Sequence, residues 1–256
     1  MPQFNEILIA LCEVLMSILS NQFEFEFDII NMSNVCLIII QIFNIYVGDR
    51  VFKENVNETC SHFLELEIPT SLLTIFEKEL PIDLLNFIVA PILSNIIQLL
   101  HYGNPDLVLR FSLQLNIYAF INWSKSDNKD IKTKSLELIE YLIIFRSDTI
   151  SILMQEGFYD YYLSIIDFVS FNIKKSIIVV ILASIKNSQS HEALQYFINE
   201  DIVDYLIESL GIPNYIESEK IVDVLHMIMN SNFTDELIAF TISQELEKFY
   251  METNCL

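Results

Sequence analysis

Histidine, cysteine and clustered carboxylates are the side chains through which this chain could do chemistry. The four histidines lie far apart, at His62, His101, His191 and His226. Cys60 and His62 form the one short Cys/His spacing, whereas a zinc site needs three or four ligands. The sequence also lacks Gly-x-Ser-x-Gly, His-Glu-x-x-His and phosphate-loop motifs. It therefore predicts a protein that is not an enzyme and that holds no metal and no cofactor.

The charge balance bears on the kind of partner. Asp and Glu outnumber Lys and Arg by 35 to 14, which gives a net charge of −21 at pH 7. A cluster of lysines between Lys125 and Lys134 is interrupted by Asp127 and Asp130. A nucleic-acid surface needs a net positive face to collect phosphates. We therefore expect no nucleic-acid partner, and either a basic protein partner or a charge that serves solubility.

The hydrophobic residues, 52% of the chain, raise the question of a membrane. The most apolar run, from Val35 to Val47, contains Gln41 and Asn44 and is shorter than the roughly 20 residues of a spanning helix. The N-terminus has no basic region of the signal-peptide type. We expect no membrane insertion and a cytoplasmic or nuclear location, with reduced thiols. The cysteines in question are Cys12, Cys36, Cys60 and Cys255.

The elements that must carry these side chains are helices. Only 4 Gly and 6 Pro occur, which disfavours a sheet protein with many hairpins, and apolar residues recur at helical spacing. The alternating stretch Phe23–Asp28 is better explained as a loop or helix start than as a strand. Pro91 is expected to kink or split its helix. The predicted helices up to residue 145 are Phe4–Leu19, Asn34–Val47, Val51–Glu67, Pro69–Lys78, Pro81–Leu100, Pro105–Trp123 and a further one ending at Phe145.

A repeat of 44 residues dominates the rest of the chain. Ser190–Tyr205 aligns without gaps on Thr234–Phe249, and the same offset backwards places Tyr161 under Tyr205. A fixed period of this length with helical patterning is typical of helical repeat arrays. The predicted helices are Asp148–Glu156, Tyr159–Phe168, Ile173–Lys186, Glu192–Asn199, Val203–Ser209, Glu217–Met229, Asp235–Ile242 and Glu245–Met251.

A short, a medium and a longer helix per period resemble the armadillo repeat. Glu156–Leu163 and Glu200–Ile207 look like the junction of its first two helices, and Ile88–Asp106 looks like a second helix and the following loop. The resemblance implies an all-α fold, a right-handed α-solenoid forming one domain over residues 1–256. We expect irregular repeats over 1–147, where HEAT-like helix pairs fit equally well, and regular 44-residue repeats over 148–256. About 35 residues separate Asn122 from Gly157, which predicts an extra helix between them.

Armadillo proteins commonly bind an extended peptide along their third helices, and nuclear-import adaptors use a repeated Trp and Asn there. The nearest matches here are Tyr118 with Asn122 and His226 with Asn230, while Leu182 and Lys186 occupy the helix between. Glu219 and Asp223 join His226 and Asn230 on one polar stripe. The resemblance thus implies a protein-binding scaffold or adaptor, with a nuclear-import adaptor for basic peptides as the alternative. It is also open that Tyr118 is a core aromatic and that His226 and Asn230 are merely exposed, and the oligomeric state is not predicted.

Overall fold

The computed structural model describes residues 56–65, 82–188, 191–198, 200–210, 218–231 and 234–253, with the single positions 10, 38, 41 and 73. Every regular element in this part of the chain is an α-helix, which confirms the all-α fold class. The single described positions are helical too, and otherwise the predictions for Phe4–Leu19, Phe23–Asp28, Asn34–Val47 and Pro69–Lys78 lie outside the described residues. The chain divides into two compact units, Met1–Arg146 and Ser147–Leu256.

The first unit begins, in its described part, with α1, Val56–Glu65, and α2, Ile82–Tyr102. Pro91 lies inside α2 without splitting it. Because proline has no backbone N–H, α2 lacks one backbone hydrogen bond at this position but continues through it. Gly103 ends α2 at a close approach, where a Cβ atom would come within 2.6 Å of both the Leu99 carbonyl oxygen and the Leu64 side chain. A tight turn into the next helix therefore requires glycine at this position.

Three further helices complete the first unit: α3, Pro105–Gln114; α4, Ile117–Ser124; and α5, Lys129–Phe145. The side chain of Asn104 accepts a hydrogen bond from the Asp106 amide at 3.0 Å and so caps α3. Asn128 caps α5 in the same way, accepting from Asp130 at 3.0 Å and Ile131 at 3.3 Å.

The prediction of one continuous helix from Pro105 to Trp123 is wrong. The helix ends at Gln114, and Leu115 turns into extended backbone with a ψ of 134°. Leu115 is buried, and its carbonyl accepts a hydrogen bond from the buried guanidinium of Arg146 at 2.8 Å. A residue 31 positions away therefore satisfies a carbonyl at the break that a continuous helix would satisfy itself.

This break changes the repeat pattern of the first unit. With it, α3, α4 and α5 form a short, short and long series, and α3 begins 44 residues before Thr149, where the next such series starts. The segment Ile88–Asp106 covers the second half of a long helix, not a second helix of a repeat. The predicted extra helix between Asn122 and Gly157 is α5, the regular third helix of its own repeat.

In its described residues, the second unit contains two three-helix series followed by one further helix. The first series is α6, Thr149–Gln155; α7, Phe158–Ile165; and α8, Phe171–Asn187. The second is α9, His191–Phe197; α10, Glu200–Leu210; and α11, Ser218–Met229. Gly157 separates α6 from α7 in the left-handed conformation, with a φ of 61°, which glycine adopts without strain.

The burial pattern of the described residues follows the 44-residue register in this unit. Phe158, Ile202 and Leu246 stand at equivalent positions of three successive repeats, and all three are buried. The third helices agree as well, because Ile177, Val180 and Ile181 of α8 and their equivalents Ile221, Val224 and Leu225 of α11 are buried. Stacked repeats bury such faces only against neighbouring repeats, so each unit depends on the stack for its core.

The last repeat departs from the prediction of two helices, Asp235–Ile242 and Glu245–Met251. The structure has a single helix, α12, Glu236–Thr253. Ser243 and Gln244 contain no helix-breaking residue type, and the buried pair Ile242 and Leu246 shares one helix face at a spacing of four residues. The left-handed glycine that ends α6 has no counterpart here, since Glu245 stands at that position.

Candidate functional site

The polar stripe predicted on the last complete third helix lies on one face of α11. Ile221, Val224, Leu225 and Ile228 are buried, which fixes the inner face of the helix. On another face, Glu219, Asp223 and Asn230 are exposed and His226 is half-buried. Their spacings of four, three and four residues place them in one row. These four residues are called the polar stripe below.

Two members of the polar stripe have neighbours that hold them in place. Asn230 donates a hydrogen bond from Nδ2 to the carbonyl oxygen of His226 at 2.8 Å. The Nε2 atom of His226 lies 3.4 Å from the hydroxyl of Tyr250 on α12. The Asn230 amide oxygen and the carboxylates of Glu219 and Asp223 are the acceptors that the stripe offers to a partner.

The neighbouring third helix, α8, packs against α11 and changes the charge of the surface. The residues of α8 that stand 44 positions before the polar stripe are Lys175, Val179, Leu182 and Lys186. Lys186 is exposed, but Leu182 is buried and unavailable to a partner. The acidic character that the sequence predicted for this surface is therefore confined to α11, and the adjacent helix presents lysines at both ends of the row.

Tyr118 and Asn122 do not belong to this arrangement. Both side chains are exposed on α4, the second helix of its repeat, and not on a third helix. They were placed on a third helix because α3 and α4 were taken as one element. Tyr118 is 50% exposed, so the alternative that it is a core aromatic is also wrong. On α8 the residue 44 positions before His226 is Leu182.

A second cluster lies on the long helices of the first unit and was not predicted. His101 near the end of α2 and Tyr141 near the end of α5 form a hydrogen bond, with His101 Nδ1 2.8 Å from the Tyr141 hydroxyl. The His101 ring also stacks edge-on against Tyr102, with ring centroids 4.5 Å apart. Because the C-terminal ends meet and the two helices pack along each other, α2 and α5 run in the same direction. These three residues are called the aromatic cluster.

Carboxylates border the aromatic cluster. Burial raises the pKa of Tyr141, and the negative charges of Glu137 and Glu140 raise it further. Tyr141 therefore keeps its proton at neutral pH and can donate it to an acceptor such as the His101 ring. Glu137 is itself paired with Lys134 at 2.7 Å. The signal for this cluster in the sequence was the 40-residue spacing of two aromatic rings at helix ends, which is visible only once α2 and α5 are known to be equivalent helices.

In the described part of the chain, no group of three or more His, Cys, Asp or Glu could hold a metal ion. A cavity of about 120 Å³ lies between α1 and α3. It is smaller than the roughly 300–1,000 Å³ of typical ligand pockets. Its lining residues are Leu64, Glu65, Leu107, Arg110, Phe111 and Gln114.

No helix of the described residues combines the length and the apolar character needed to cross a membrane. No protein-family model and no curated protein matches the chain. Among solved structures, the chain is similar to a designed armadillo repeat protein, with a TM-score of 0.49 and 12% identity over 92% of this chain and 99% of that one. Independently of that similarity, the helix order and the 44-residue offset are typical of a helical repeat array.

Proposed function

We propose that this protein is a non-catalytic scaffold that binds another protein, or an extended segment of one, through the polar stripe on α11. One observation carries the proposal: α11 buries a complete apolar face and presents Glu219, Asp223, His226 and Asn230 together on another. A helix face that contacts only solvent does not require any particular arrangement of polar side chains. This row, in contrast, combines two carboxylates, an imidazole ring and an amide at helical spacing. Such a row can accept hydrogen bonds and basic side chains from a partner segment.

The partner that fits the polar stripe carries Lys or Arg opposite Glu219 and Asp223. Both carboxylates are exposed, so their attraction to a basic segment acts across solvent and weakens as salt is added. The lysines of α8 limit how far a basic segment can extend in that direction. We therefore propose that basic residues of the partner lie over α11 and that neutral or acidic residues lie over α8.

The aromatic cluster of the first unit supports a binding role by a different chemistry. His101 and Tyr102 are exposed, and the Tyr141 hydroxyl is already oriented by His101. Flat rings of this kind accept an Arg guanidinium or a proline by stacking. Glu137 and Glu140, which lie one turn or less from Tyr141, favour the arginine.

The experiment starts by identifying partners through affinity purification and mass spectrometry, followed by calorimetry with the purified partner. The double variant Glu219→Lys, Asp223→Lys is expected to weaken binding at least tenfold and to leave the melting curve nearly unchanged. The matched control is Asp204→Lys, Glu208→Lys, which reverses two exposed carboxylates at the same spacing on α10. If both double variants bind the partner with equal affinity, the partner does not bind through the polar stripe.

A nuclear-import adaptor that recognises basic peptides, in the cytoplasm or nucleus, is the second candidate. The acidic pair Glu219 and Asp223 favours it. Its recognition ladder is weak, because Trp123, the only tryptophan in the sequence, lies on α4 and not on a third helix. A fluorescent lysine-rich peptide tests this candidate. Binding in the micromolar range that is lost in the Glu219→Lys, Asp223→Lys variant supports it, and no binding at low salt excludes it.

A further inference from the structure

The outer face of α12 exposes large apolar side chains. Leu237, Phe240 and Met251 are 67%, 59% and 69% exposed. With Gln244 and Glu247 they follow spacings of three and four residues, so the five side chains lie in one row. The opposite face of the helix holds Ile242 and Leu246, which are buried in the second unit. Leu237, Phe240 and Met251 are called the outer row.

The repeat register shows what kind of element covers this face elsewhere in the same unit. The residues 44 positions before Leu237 and Glu247 are Ala193 and Val203, and both are buried. The helix that carries Val203, α10, packs against α12 of the following repeat. The residues 44 positions before Phe240 and Met251 are Tyr196 and Ile207, and both are half-buried, so the corresponding face of the preceding repeat is less exposed than the outer row.

The charges around the outer row indicate the chemistry of an occupant. Asp235, Glu236 and Glu247 are exposed beside it. Lys248 also lies near the row, but its Nζ atom is 3.6 Å from a carboxylate oxygen of Glu245. Leu237 and Phe240 thus form an apolar patch near the start of α12, Met251 forms another near its end, and the charge around them is net negative. A second copy of this chain would bring the same negative charges together, and like charges across an interface disfavour that pairing.

We propose that the outer row of α12 is a docking surface for an amphipathic helix of another protein, with Lys or Arg beside its apolar residues. The row from Leu237 to Met251 is about 21 Å long at the rise of an α-helix, which corresponds to about four turns of a docked helix. Apolar residues of that helix cover Phe240 and Leu237, and its basic residues approach Glu236 and Glu247. This surface is separate from the polar stripe and does not depend on the proposed function.

The probe is a synthetic helical peptide with leucine at the a and d positions of its heptads and lysine at the flanking positions. A twin with glutamate in place of each lysine is the matched control peptide. With fluorescein-labelled peptides and full-length protein, anisotropy is expected to show binding of the lysine peptide and at least tenfold weaker binding of its twin. The double variant Leu237→Glu, Phe240→Glu is expected to reduce binding of the lysine peptide at least tenfold, although it makes the protein more negative.

Two further variants make the result specific. Phe168→Glu, Phe171→Glu adds the same charge at exposed aromatics of the α7–α8 connection, which are 88% and 54% exposed, and is expected to bind normally. Asp127→Lys, Asp130→Lys reverses two exposed carboxylates of the first unit and is expected to bind within a factor of three of the unmodified protein. Equal effects of the two phenylalanine-containing variants would overturn the proposal. So would a dimer in sedimentation that Phe240→Glu dissociates, since the occupant would then be a second copy.

Discussion

Arg146 donates a hydrogen bond from Nη1 to the carbonyl oxygen of Leu115 at 2.8 Å and approaches the Ser112 carbonyl at 3.2 Å. Arg146 follows directly after α5, whereas Ser112 and Leu115 lie at the end of α3. The last carbonyls of a helix have no partner within that helix. One buried guanidinium therefore closes α3 and fixes the bend into α4.

Replacing Arg146 by methionine keeps much of the side-chain volume and removes the donors. We expect Arg146→Met to lower the free energy of unfolding by about 1–3 kcal/mol, because two buried carbonyls then lose a charged donor. Thermal and urea unfolding measure the change. Arg110→Met is the matched control, since Arg110 is exposed on α3, and it is expected to change stability by less than about 0.5 kcal/mol. Similar losses in both variants would show that the bend does not depend on Arg146.

Tyr159 and Ser184 form a polar pair inside the second unit, with their hydroxyl oxygens 2.8 Å apart and both side chains buried. Ser184 donates its own proton to the Val180 carbonyl at 2.7 Å, so Tyr159 is the donor to Ser184. At the equivalent positions of the next repeat the pair is Val203 and Ile228, both buried. These two positions therefore hold two polar residues in one repeat and two apolar residues in the next.

A double-mutant cycle tests this pairing. Tyr159→Phe and Ser184→Ala are each expected to cost about 0.5–1.5 kcal/mol of unfolding free energy. The double variant is expected to cost less than the sum of the two single variants. In each single variant one hydroxyl remains and loses its partner, whereas in the double variant both hydroxyls are absent. Urea denaturation at equilibrium gives all four corners of the cycle. Additive losses would mean that the two hydroxyls do not stabilise each other.

The sequence predicted the second unit well because its helices are specified locally. Apolar residues at helical spacing recur every 44 positions, and Gly157 marks a break that the backbone needs. The same logic failed at Ser243 and Gln244, where the alignment with an earlier repeat suggested a break. The local sequence contains no glycine or proline there, and the continuous helix α12 follows the local preference.

The first unit was predicted less well because a distant residue decides its pattern. Leu115 and Asn116 are not helix-breaking types, and the contact that holds the bend comes from Arg146. Without that bend, Tyr118 and Asn122 were assigned to the wrong helix of the repeat. The pairing of His101 with Tyr141 was missed for the same reason, since their helices become equivalent only when α3 and α4 are separated. On α11, by contrast, spacing alone was enough to place the polar stripe and the buried stripe on different faces.

Leu225 tests the buried face of α11 directly. It is fully buried, so Leu225→Asp introduces an unpaired charge between helices and is expected to cost several kcal/mol. Met227 lies two positions away and is 37% exposed. Met227→Asp adds the same charge to the same helix and is expected to cost less than about 1 kcal/mol. Melting temperatures that fall equally in both variants would contradict the assignment of the inner face.

Asn95 on α2 is 3% exposed, and neither its side-chain oxygen nor its nitrogen has a hydrogen-bond partner among the residues that the structure describes. A buried amide in this state costs about 1–3 kcal/mol of desolvation free energy. We therefore expect Asn95→Leu, which has nearly the same size, to raise the melting temperature. Asn122→Leu on the exposed face of α4 is the control and is expected to leave it unchanged. A lower melting temperature for Asn95→Leu would show that the amide has a favourable partner in solution, such as a buried water molecule.

Cys60 on α1 has no exposed surface, and burial raises the pKa of its thiol to about 12 from an ordinary value of 9.0. The thiolate is the reactive form, and at pH 8 this shift lowers its population roughly a thousandfold. We expect iodoacetamide at pH 8 to leave Cys60 unmodified in the folded protein and to modify it in urea, as measured by peptide mapping that separates it from Cys12, Cys36 and Cys255. Because folding raises this pKa, the contribution of the neutral thiol to stability is complete below about pH 9 and is lost as the pH rises towards 12. Rapid modification of Cys60 in the folded protein would show that α1 opens readily or that its inner face is not the one described.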